Sequence, residues 1–181
     1  TSWFRNGTNA ADHGREWALM VANVSEWMKT QGYSSQVAVT GAIDIELSWN
    51  TYEITWPWVH AFDQNDQGKY AYYDCGDCAG CPTRLNTTPY MPTGWTLFNV
   101  WKIAWGNGAV WPLPLIYAES GVNARQWAWL SKYSFDNYDV PMIFPGLMTQ
   151  HQACQQVGGC AGIDNTPEEG HDQLLYEINY F

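Results

Sequence analysis

The chain has 181 residues, with 18 Asp and Glu against 8 Lys and Arg, for a net charge of −10. That length is enough for one domain with a full core. The charge argues against nucleic acid or anionic membrane as a partner, since both reward cationic surfaces, and no apolar run reaches the roughly 18 residues of a bilayer span.

In chain order, residues 3–8 read as the end of a strand. Residues 13–30 read as a helix, because Trp17, Met20, Val21, Val24, Trp27 and Met28 recur at three- and four-residue steps and define one apolar face. Gly32 follows where a C-cap is expected. Residues 36–46 (QVAVTGAIDIE) are rich in β-branched and apolar residues, which predicts a central strand buried on both faces. Residues 51–64 form a second expected helix, with Pro57 inside it implying a kink or a late start. A short strand is expected at 70–73, then a proline-bearing loop at 81–94. One further strand is expected within 97–105, over 101–105, and another at 112–118, where the prolines fit only the strand's beginning. Residues 123–133 predict a helix with Trp127, Leu130 and Tyr133 inward, and 141–148 a last strand. Thr166 and Pro167 suit the N-cap and N1 of a final helix carrying Leu174, Leu175 and Ile178. Strands alternating with helices predict an α/β fold with a parallel sheet.

The composition adds two constraints. Twelve Trp and eleven Tyr exceed what one small core readily hides, so some are expected along a groove. Five Cys occur, three of them in the run C-G-D-C-A-G-C. The pair Cys154 and Cys160, with Gly158 and Gly159 between them, predicts a disulfide closing a short surface loop. A second bridge is expected within Cys75, Cys78 and Cys81, or from one of them to a segment outside this chain. Structural zinc usually takes four ligands, so disulfides and an oxidising, secreted or cell-surface location are the favoured reading. N-x-S/T sequons stand at Asn6, Asn23 and Asn86.

The segments GTNAADHGREWALMVANV, GAIDIELSWN, WPLPLIYAESGVNARQW and LMTQHQACQQVGGCAGIDNTPEEG resemble a group of uncharacterised secreted bacterial glycoside-hydrolase-like (β/α)-barrel proteins, related to the family 25 lysozymes. The resemblance implies a (β/α)-barrel of which this chain is the C-terminal part. Its first two strands would lie upstream, so an upstream segment or a second chain is expected to complete the barrel along an open sheet edge.

Asp44-Ile45-Glu46 is the sharpest candidate site. Residues i and i+2 of a strand share a face, and C-terminal strand ends form the active face of a parallel barrel. The D-x-E resembles the fourth-strand motif of family 25 lysozymes and the end of the chitinase D-x-x-D-x-D-x-E signature, although Gly41 and Ala42 stand where further acids would be. That resemblance implies Glu46 as general acid and Asp44 as its partner. Asp74 and Glu119, each after an expected strand, are further candidate catalytic acids. Trp49, Trp56, Trp105 and Trp111 lie at or just beyond expected strand ends, where their faces would stack on pyranose rings, and His151 could join them. No H-x-x-x-H, G-x-S-x-G or P-loop pattern occurs, so neither a metal nor a cofactor is expected. The expected function is hydrolysis of a cell-wall or N-acetylated polysaccharide. The alternative is a non-catalytic secreted module binding glycan or protein through the same face, or a surface structural protein.

Overall fold

The computed structural model describes residues 4, 6–84 and 89–181. Helix α1 (Gly7–Thr30) opens on Asn6, whose side chain accepts from the Asn9 amide at 2.9 Å. The expected strand at 3–8 lies partly outside the described residues; within them, Asn6 and Gly7 already belong to this helix start. The helix ends in a left-handed turn at Gly32 (φ +78°), with the Tyr33 amide reaching back to the Met28 carbonyl at 3.0 Å.

The buried face of α1 is not the one that large apolar residues predict. Ala10, Gly14, Ala18, Val21 and Ala22 are buried, whereas Met20 and Val24 are exposed and Trp27 is 56% exposed. The small residues let the backbone of α2 (Tyr52–Asn65) come close: a Cβ on Gly14 would lie 2.2 Å from the Trp58 carbonyl oxygen. Helix α2 runs on through Pro57. From α2, Trp58 and Phe62 meet Tyr72 edge-on at centroid distances of 5.4 and 5.0 Å.

Tyr72 begins the middle strand of a three-stranded parallel sheet, ordered β1 (Gly41–Ile43), β2 (Tyr72–Asp74) and β3 (Val110–Pro112). Ile43 pairs with Asp74, and Asp74 with Pro112. The ladder continues past the strand ends, with Cys75 donating to Ile43 at 2.8 Å and Leu113 to Asp74 at 2.8 Å.

This architecture is not a (β/α)-barrel, complete or partial. Of the described residues 49% are helical, and the small sheet they form is open. The expected strand within 97–105 is helix α3 (Leu97–Ala104), opened by a capping box between Thr96 and Asn99. The strand at 36–46 is ordered as β only over Gly41–Ile43, and it lies at the sheet edge rather than its centre, with Val37 50% exposed. The strand expected at 141–148 reduces to a single parallel bridge, Leu115 to Met148. Pro112 and Pro114 lack the amide donors that a longer β3 would need.

The remaining helices are α4 (Val122–Tyr138), α5 (His151–Gln156) and α6 (Pro167–Asn179). Trp127 and Leu130 of α4 are buried as expected. Thr166 caps α6 in a reciprocal box with Glu169, with Pro167 in the first turn. Cys154 and Cys160 form a disulfide, as do Cys78 and Cys81; Cys75 is free. The second bridge withdraws two of the three clustered thiols from any metal. No described helix is long and apolar enough to cross a membrane.

Candidate functional site

The parallel register brings the acids together. Because Ile43 pairs with Asp74, the segments Asp44–Glu46 and Cys75–Asp77 leave the sheet side by side at its C-terminal end, with the Asp77 amide donating to Ile45 at 3.3 Å. Asp44 and Glu46 both line one cavity of about 420 Å³, with Trp49, His13, Trp17 and Trp58 among its walls. Neither carboxylate makes an ion pair among the described residues.

These carboxyls sit among their own kind. Burial raises Glu46 above its ordinary range, and Asp44 and Asp77 raise it further; Asp44 is raised by burial and by Asp77. Asp74, the last residue of β2, is only 2% exposed, and its Oδ1 has no hydrogen-bond partner among the described residues. Burial first, then Asp44 and Asp77, push it well above the carboxylate range. Gly76 leaves room for that side chain, since a Cβ there would come within 2.8 Å of the Asp74 carboxyl.

Three members of the site were not singled out from sequence. Asp77 accepts from the Leu47 amide at 3.0 Å, tying the segment after Glu46 to the one after Asp74. The Tyr117 hydroxyl is raised by burial and by the charges of Asp44 and Glu46. His13 accepts through Nδ1 from the Trp58 indole N–H at 2.8 Å. An indole donates only, so a neutral His13 ring carries its proton on Nε2. The D-C-G-D spacing could have flagged Asp77; Tyr117 and His13 arrive from distant segments with no local signal.

Other candidates lie elsewhere. Glu119 is exposed and accepts from the Asp164 amide at 3.3 Å, bracing the loop beyond α5. His151 faces Asp164 across 2.8 Å in that same disulfide-closed region. Trp105 follows α3 and meets Trp111 edge-on at 6.0 Å, and the turn between them leads into the start of β3, the sheet end opposite the acids. Trp56 is stacked within α2 between Tyr52 and His60, with the Lys102 ammonium 5.4 Å from its centroid. Of the four candidate tryptophans, Trp49 alone lines the acidic cavity.

Among the described residues, no cluster of three His, Cys, Asp or Glu has the geometry to hold a metal ion. Comparison of the chain with protein-family models, with curated proteins and with solved structures finds no match to any of them.

Proposed function

We propose that the cavity beside β1 is the site of a secreted glycoside hydrolase acting on N-acetylated polysaccharide. The observation that carries this reading is the meeting of Asp44, Glu46 and Trp49 in one cavity, with both carboxyls raised above their ordinary ionisation range. Glycoside cleavage needs an acid that still holds its proton where ordinary carboxyls have lost theirs. Glu46 donates that proton to the leaving oxygen as the bond from the anomeric carbon breaks. Asp44 stabilises the cationic centre or orients the acetamido group. Water adds to the anomeric carbon, and its proton returns to the carboxyl set. Trp49 supplies an apolar face for the ring. The two disulfides support work in an oxidising compartment outside the cytosol.

The test is a screen for reducing ends released from peptidoglycan and chitin fragments, with non-acetylated glucans as comparators. The acetylated substrates should be cleaved in preference. Because Glu46 must be protonated, kcat/KM should fall as pH rises through a value above 4.5, the ordinary range of that side chain. Equal cleavage of the glucans, or an alkaline limb at or below 4.5, would contradict the assignment.

A further inference from the structure

Far from the acidic site in composition, a second cavity of about 770 Å³ opens between the loop at Arg84, helix α4 and the end of α6. Three of the chain's eight Lys and Arg line it, Arg84, Arg125 and Lys132, against a single carboxylate, Glu177. Glu177 offsets Arg125 and Asp136 offsets Lys132, which leaves Arg84 unbalanced among the described residues of this wall, in a molecule of net charge −10.

Two of the three cations are already engaged. Arg125 donates to the Ser120 carbonyl at 2.7 Å and meets Glu177 at 3.4 Å, and Lys132 is held by Asp136 at 2.7 Å. Arg84 is exposed and makes no hydrogen bond or ion pair with any described residue. Its fork of donors is therefore open to a planar anion.

Aromatic rings supply the rest of the wall. Trp129 and Phe181 meet edge-on at 4.7 Å, while Tyr176 and Tyr180 are 68% and 74% exposed. Rings this open suit a ligand that is apolar on one face and hydrated on the other. A flat aromatic acid would leave its second face in water, whereas a pyranose keeps its hydroxyls there at no loss.

We propose that this cavity binds an acidic saccharide, a pyranose whose ring carboxylate pairs with Arg84 while one face lies on Tyr176. The inference stands apart from the cleavage reaction, since none of its residues lines the Asp44 cavity.

Isothermal titration of the full chain with a short oligogalacturonate, and with its methyl ester, tests it. The acid should bind, more weakly as salt rises. Esterification and Arg84→Gln should each weaken binding by roughly tenfold or more, as expected for loss of a charged hydrogen-bonded pair. Tyr176→Ala should weaken acid and ester alike. Both positions are exposed, so an unchanged Tm confirms that the variants fold. Absence of binding by the acid, equal binding by the ester, or undiminished binding by Arg84→Gln would each overturn the proposal.

Discussion

Asp74, 2% exposed, ends the middle strand with Oδ1 unpartnered among the described residues. Burying an ionised group in that state is costly, so the folded chain holds its proton far more tightly than the unfolded chain does. The folded value is the raised one. Its contribution to stability is therefore complete below the ordinary value of 3.8 and is lost as pH rises through the raised value. Asp74→Asn removes the titration at nearly constant shape. We expect the fall in wild-type stability as pH rises above 3.8 to shrink by roughly 1–3 kcal/mol in this variant, measured by urea unfolding. An unchanged pH slope would show that Asp74 is not held protonated. At this scale, Asp44 and Glu46 were singled out by their two-residue spacing, although both lie beyond β1 and Ile45 between them lines the same cavity. Asp77, Tyr117 and His13 were not, because parallel pairing and helix packing, rather than local spacing, bring them in.

Helix α1 shows why apolar size misleads about packing at the scale of elements. Its long stripe from Trp17 to Met28 has the right period, yet Ala10, Gly14 and Ala18, four residues apart, make the contact with α2. Close approach of two helix backbones selects the small side, and of the larger residues Met20, Val24 and Trp27 are left exposed while Val21 is buried. Gly14→Ala discriminates between these faces. In an open helix position the change would stabilise by about 1 kcal/mol. Here the added Cβ meets the Trp58 carbonyl oxygen at 2.2 Å, so we expect destabilisation of about 1–3 kcal/mol in urea unfolding. Stabilisation would mean that α1 and α2 do not pack on this side. The segment 97–105 misled in a related way. Val100, Ile103 and Ala104 are its buried residues, a three-to-four spacing that is helical, and the start signal was Thr96 with Asn99 in place of the usual Glu or Gln. The α6 start at Thr166, Pro167 and Glu169 follows the common pattern and was legible as such.

For the whole molecule, the parallel sense of the sheet and the Cys154–Cys160 bridge could be read from sequence, whereas the number and length of strands could not. Apolar runs at 36–46 and 141–148 resemble buried strands, but with Pro112 and Pro114 and the helix over Leu97–Ala104 the sheet is three strands wide among the described residues. Even so, the open sheet keeps the feature that matters for chemistry: strand ends on one side that gather acids from successive segments. With four carboxyls, Asp44, Glu46, Asp74 and Asp77, influencing one another there, the assigned acid can be isolated by substitution. The most direct measurement is the rate of reducing-end release from peptidoglycan fragments by Glu46→Gln and by Glu119→Gln, each against wild type. Glu46→Gln should lose roughly 10²–10⁴-fold in kcat, the contribution of a positioned general acid, while Glu119→Gln, outside the cavity, should retain the wild-type rate. Equal rates for Glu46→Gln and wild type, or no release by wild type from any acetylated glycan, would contradict the account.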